Sequence, residues 1–150
     1  MDMKKTYRAL FSLYALCAIL LFTSCTGEKI TAENHDWEFS LLQNAQTGEV
    51  TACSNAYAEI YENAAVVELL CEADGNAFHL RNKETNETWS LNYTLSDRKA
   101  DSVFYTLHLD GTDKSGIGSI GITEYANGDS EYTLILTING HSLTFREKIG

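Results

Sequence analysis

The sequence predicts an all-β domain, an antiparallel up-and-down meander of eight or nine strands that closes into a barrel. Three observations carry this reading. Large apolar residues alternate with polar ones at period two from Trp37 onward, the pattern of a sheet packed on one face and wet on the other. Turn signals punctuate the runs: Asp74-Gly75-Asn76, Asp110-Gly111, Asn127-Gly128-Asp129 and Asn139-Gly140, each suited to a hairpin. The connections are short throughout, and a meander this long removes its two open edges most simply by closure. A two-layer sandwich is the alternative arrangement.

Taken in order, strands are expected at 37 to 43, 48 to 53, 65 to 73, 76 to 82, 87 to 96, 102 to 110, 116 to 125, 131 to 138 and 141 to 147. The clearest inward rows are Trp89, Leu91, Tyr93, Leu95, then Val103, Tyr105, Leu107, Leu109, then Tyr132, Leu134, Leu136, Ile138. Their neighbours Ser90, Asn92, Thr94, Thr106 and His108 face outward, as does His79. Gly116, Gly118 and Gly121 fall within a strand pattern and mark bending there. One segment breaks the period: Ala56, Tyr57, Ile60, Tyr61 and Ala64 recur at helical spacing after a candidate Ser54 cap, so a short helix is expected near residues 55 to 63. It lies between Cys53 and Cys71. A disulfide joining them would contribute about 3 kcal/mol in the chain-entropy model and pin the helix at both ends, as a lid across a barrel mouth. Two buried free thiols are the alternative, since only Cα atoms within about 7 Å can be bridged.

The beginning of the chain has a different composition. Lys4, Lys5 and Arg8 precede an apolar stretch from Ala9 to Phe22, the charge and hydropathy order of a secretory signal. Fourteen residues are too few for a membrane span, which needs about 20. Thr23 and Ser24, small residues just before Cys25, resemble the lipobox of bacterial lipoproteins, with Phe22 where such boxes usually carry Leu. The resemblance implies cleavage after residue 24 and a lipid on Cys25, palmitate or a similar acyl chain, holding the protein to the outer side of the cell membrane in a bacterial envelope. The expected division is a signal at 1–24, a lipidated N-terminus and polar tether at 25–34, and one β domain at 35–150.

Of 11 Lys and Arg and 21 Asp and Glu, residues 1 to 24 hold Lys4, Lys5, Arg8 and Asp2, which leaves 8 basic against 20 acidic side chains, a formal charge of −12. Phosphate backbones are bound by basic surfaces, so nucleic acid is excluded as a partner. The chain contains no proline, and collagen-like and polyproline readings fail with it.

Trp37 near the start of the first strand, the meander of hairpins, and Arg146 near the end of the last strand together resemble the lipocalin-like (calycin) barrels. In that family the corresponding pair meets where the barrel closes, guanidinium over indole, a contact worth about 0.5 to 2 kcal/mol. His35 stands where the family usually has glycine. Asp36 to Phe39 and Gln46 to Glu49 also resemble segments of small lipoproteins of Gram-positive bacteria. The first resemblance implies binding of a small apolar or amphipathic ligand. Phe39, Phe78, Trp89, Tyr93, Tyr105 and Tyr132 are the residues expected to line its pocket, though the same side chains could fill the barrel.

No catalytic constellation is legible. His35, His79, His108 and His141 fall on different strands or turns without metal-ligand spacing. Asp110 to Ser115 lacks the carboxylate positions of a calcium loop and reads as a turn. No nucleophile elbow, phosphate loop or dinucleotide fingerprint is present. The expectation is a membrane-anchored, non-catalytic barrel, without metal or cofactor, that binds a small ligand or an envelope partner; the alternative is an interaction module with a solid core.

Overall fold

The computed structural model describes residues 29–148. The expected signal at 1–24 and the expected lipid acceptor, Cys25, lie outside the described residues. Ten strands follow one another: β1 (Trp37–Asn44), β2 (Val50–Cys53), β3 (Ala65–Val66), β4 (Leu69–Ala73), β5 (Ala77–Asn82), β6 (Thr88–Arg98), β7 (Ser102–Leu109), β8 (Ser115–Glu124), β9 (Ser130–Ile138) and β10 (His141–Glu147). From β4 to β10 every strand pairs antiparallel with the next. β1 then joins the two ends, pairing with β10 along its length and with β4 at Trp37 and Glu38. Eight strands thus form a closed antiparallel barrel, as the alternation predicted, and β2 and β3 are additions to it.

The additions shape one end. Beyond Glu38 the second flank of β1 is taken by β2, with Leu41 opposite Cys53 and Leu42 opposite Ala52. β3 runs parallel to β2, and the Val67 amide donates to the Cys53 carbonyl at 2.9 Å before the chain enters β4. The wall is therefore wider where β2 stands between β1 and β4. A β-bulge between Phe39 and Leu41 supplies the local bend that lets β1 change partners.

The inward rows form one core. Phe78, Leu91, Val103, Leu107, Ile120, Leu134, Leu136 and Phe145 are nearly or fully buried. The described core lies wholly between Ile30 and Phe145, so a chain starting at Thr26 carries all of it. Gly116 and Gly118 act by close approach. A Cβ on Gly116 would stand 2.1 Å from the Thr137 carbonyl oxygen, and one on Gly118 would meet Leu107 and Leu136 at 3.2 and 3.3 Å. The backbones and side chains at these two positions pack where a Cβ would otherwise be.

Three expectations need correction. The segment after Ser54 is not a helix: among the described residues it holds one 3-10 turn, Asn55–Tyr57, followed by further turns. Ile60 at its helical spacing is 69% exposed and Tyr57, Tyr61 and Ala64 are only half-buried, so no apolar face of the segment is fully packed, and a helix this short is not stable without one. Nor does it cover a mouth. Ser54 is tied to the Ser40 carbonyl and the Tyr57 ring lies 5.7 Å from the Arg146 guanidinium, against the outer wall of β1 and β10. Cys53 and Cys71 are free and buried. Cys53 pairs with Leu41 and Cys71 with Trp37 on the same flank of β1, and four residues of strand separate them by about 13 Å, beyond disulfide reach. Finally, the tether does not extend to residue 34, because Ile30 and Ala32 are 6% and 0% exposed in the core.

Candidate functional site

The two barrel ends differ in chemistry. One is plugged by residues 30 to 34, which cross it in a single 3-10 turn, Ala32–Asn34. The Trp37 indole Nε1 donates to the Ala32 carbonyl at 3.0 Å. The Tyr93 hydroxyl donates to Glu33 Oε1 at 2.5 Å, and the Arg98 guanidinium donates to the Ile30 carbonyl at 2.6 Å. Beneath the plug, Phe78, Tyr93 and Tyr105 form an aromatic cluster, with ring centroids 4.7 Å apart for Phe78 and Tyr93 and 4.9 Å for the two tyrosines. Burial, followed by the adjacent Glu33 carboxylate, pushes the Tyr93 and Tyr105 hydroxyls up from their ordinary pKa. Burial also pushes Glu33 up, but hydrogen bonds from Tyr93, its own backbone and Thr31 outweigh it, and its net shift is downward.

The other end is a mouth. Phe39, Leu80, Trp89, Leu91, Ile138 and Leu143 surround a cavity of about 390 Å³. Ala52, Val67 and Leu69 complete its wall where β2 widens the barrel. Its polar groups are Asn82, Asn139 and His141, all at the strand ends that reach the rim. No Asp, Glu, Lys or Arg side chain lines it among the described residues.

The rim is built from rigid turns. Asn44 Oδ1 accepts from the amides of Gln46 and Thr47, and Asn82 Oδ1 accepts in the same way from Glu84 and Thr85. In each turn the threonine hydroxyl then accepts from the following glutamate amide, Glu49 or Glu87. The residue between them, Gly48 or Asn86, has φ of 73° or 59°. The same turn chemistry, Asn-x-x-Thr-(Gly or Asn)-Glu, therefore closes two hairpins of the mouth. The spacing was legible in the sequence as a repeated Asx-turn signature.

Of the six residues expected to line a pocket, Phe39 and Trp89 line the mouth cavity, whereas Phe78, Tyr93 and Tyr105 fill the plugged end. Tyr132 stacks on His35, ring centroids 4.2 Å apart. The expected contact between Trp37 and Arg146 is replaced. Both residues sit where β1 and β10 close the barrel, but Trp37 is buried inside, whereas Arg146 pairs with the exposed Glu38 and faces outward. Its guanidinium lies over Tyr57 and 3.5 Å from Glu131 Oε1. His35, at a ring-centroid distance of 5.3 Å, is the residue against the indole, and its Nδ1 is 2.8 Å from Glu147 Oε1.

One constellation was missed. His79 Nε2 is 2.9 Å from Asp74 Oδ2, and His79 Nδ1 is 3.1 Å from Ser90 Oγ, because His79 and Ser90 face each other across β5 and β6. The hydrogen bond from His79 and those from the Asn76 and Ala77 amides hold the Asp74 carboxyl down to about 2. The order is that of nucleophile, base and orienting carboxylate. The setting is an open wall of the barrel, with β6 running between β5 and β7. The His79 and Asp74 side chains are also 47% and 54% exposed. Among the described residues no three His, Cys, Asp or Glu side chains converge to hold a metal ion.

The chain matches no protein-family model, no curated protein and no solved structure. The closed eight-stranded antiparallel barrel is consistent with a lipocalin-like fold, and that likeness stands on architecture.

Proposed function

We propose that this is a lipid-anchored lipoprotein of the bacterial envelope whose barrel binds a small apolar or amphipathic ligand through its open mouth, without catalysis. The observation that carries the reading is the apolar cavity of about 390 Å³, within the size range of small-molecule sites. Anchoring at Cys25 rests on the signal-like start of the sequence and fits the barrel's polarity. Cys25 precedes Ile30 by five residues, a reach of at most about 18 Å, so the lipid would hold the plugged end towards the membrane and turn the mouth away from it.

The second reading, an interaction module without a ligand, is favoured by the solid middle of the barrel, where Leu107, Ile120, Leu134 and Leu136 are fully buried. Native mass spectrometry of the protein purified from its own host separates the two. A co-purified small amphiphile supports the first, and protein heteromers with an empty barrel support the second. Cys25→Ala is expected to move the protein out of the membrane fraction; unchanged labelling by a lipid analogue would refute Cys25 as the acceptor.

A further inference from the structure

The mouth and the turns around it differ in charge. Its walls are hydrocarbon and its polar groups are two amides and an imidazole, so no lysine or arginine inside it offsets the charge of an anion. The turns around it are acidic: Glu49 in the β1–β2 turn, Glu84 and Glu87 in the β5–β6 turn, Asp110 and Asp113 in the β7–β8 turn. The basic groups there are largely engaged or outnumbered. Lys83 lies 3.9 Å from Glu68, Arg81 reaches back to the Asn86 side chain at 3.4 Å, and Lys114 shares its turn with both aspartates.

We propose that the mouth takes a single-chain amphiphile with a cationic head. The chain lies among Phe39, Leu80, Leu91 and Ile138, and the head stays at the rim beside Asn82, Asn139 and His141, within the field of the glutamate-bearing turns. Carboxylate and phosphate amphiphiles meet the same field with the opposite sign, and their heads find no guanidinium or ammonium in the cavity to offset it. Because the turns are fixed by their own Asx and threonine hydrogen bonds, the rim carboxylates are presented on an ordered frame. This inference rests on the ligand-binding reading above.

The test uses the chain from Thr26 onward and three probes of equal length, dodecylamine, dodecanol and dodecanoate, each below its micelle concentration. Trp89 lines the cavity and Trp37 lies at the other end, so indole fluorescence reports binding, and Trp89→Phe should remove the signal. The expected order is amine, then alcohol, then carboxylate, with amine and carboxylate separated by about tenfold or more at low salt and converging in about 0.5 M salt as the charges are screened. Glu84→Gln with Glu87→Gln, both exposed positions, should shrink the amine preference and leave alcohol binding unchanged. Equal or tighter binding of dodecanoate, or an amine preference that survives the double substitution, overturns the charge selection while leaving the cavity a binding site. Absence of saturable binding by all three probes overturns the ligand-binding reading itself.

Discussion

Trp37 holds the plugged end together in two ways that substitution can separate. The side chain is 4% exposed, and its indole donates to the Ala32 carbonyl inside the plug. Trp37→Ala removes the largest side chain in β1 and leaves a void between the plug and β10. Large aromatic-to-alanine changes in cores cost about 3 to 5 kcal/mol. Trp37→Phe keeps most of the volume but deprives the buried Ala32 carbonyl of its donor, a loss of about 1 to 3 kcal/mol. In a domain of this size each kcal/mol corresponds to roughly 3 to 6 °C in Tm, so the alanine variant should melt at least about 10 °C below the parent and the phenylalanine variant between the two. Urea unfolding of the chain from Thr26, followed by circular dichroism so that the lost indole does not matter, gives both free energies. An alanine variant less than about 1 kcal/mol below the parent would refute the buried plug, and a phenylalanine variant indistinguishable from the parent would refute the hydrogen bond.

Other expectations follow from single features. Gly116→Ala places a methyl group 2.1 Å from the Thr137 carbonyl and should destabilise by about 1 to 3 kcal/mol or more, whereas Gly121→Ala, which meets nothing within 4 Å, should be nearly neutral in the same urea assay. Glu33 is held below the ordinary glutamate value, so its contribution is complete above that value and is lost as pH falls through the depressed folded one; Glu33→Gln should flatten the loss of stability on the acid side of the ordinary glutamate value in acid titrations. Burial, with a smaller push from Glu72, raises the Cys71 thiol to about 12. Iodoacetamide at pH 8 should therefore leave Cys71 unmodified in the native protein, and mass spectrometry after denaturation without reductant should find Cys53 and Cys71 both alkylated. Fluorophosphonate probes should not label Ser90; labelling lost in Ser90→Ala would show that the Asp74, His79 and Ser90 relay activates its hydroxyl.

The parts legible in the sequence were those fixed by local pattern. The alternation of Val103, Tyr105, Leu107 and Leu109 defines β7 because its inward face is buried along its length, and Asn139-Gly140 marks a hairpin because both residues adopt the positive φ it needs. Illegible were features set by distant partners. The helical spacing of Tyr57, Ile60 and Tyr61 offered an amphipathic face that the fold covers only in part, leaving Ile60 exposed. Ile30 and Ala32, read within a polar tether, are buried because Trp37, Tyr93 and Arg98 reach the plug from two separate strands. Arg146 lies on the face opposite Trp37, and strand parity alone already separates Phe145 inside from Arg146 outside. The mouth cavity depends on β2 entering between β1 and β4, a widening that no residue pattern announces.

The plug has a mechanical consequence. A pull on the N-terminus enters the domain at Ile30 and is borne at once by Arg98 and Tyr93 on β6 and by Trp37 on β1, strands well apart around the barrel. The load is thereby spread like that on a strap buckled at both sides. Peeling β1 from its end would require these holds to fail before the β1–β10 ladder could unzip. The mouth lies at the far end of the same strands, so a pull on the N-terminus is taken up before it can change the width of the opening.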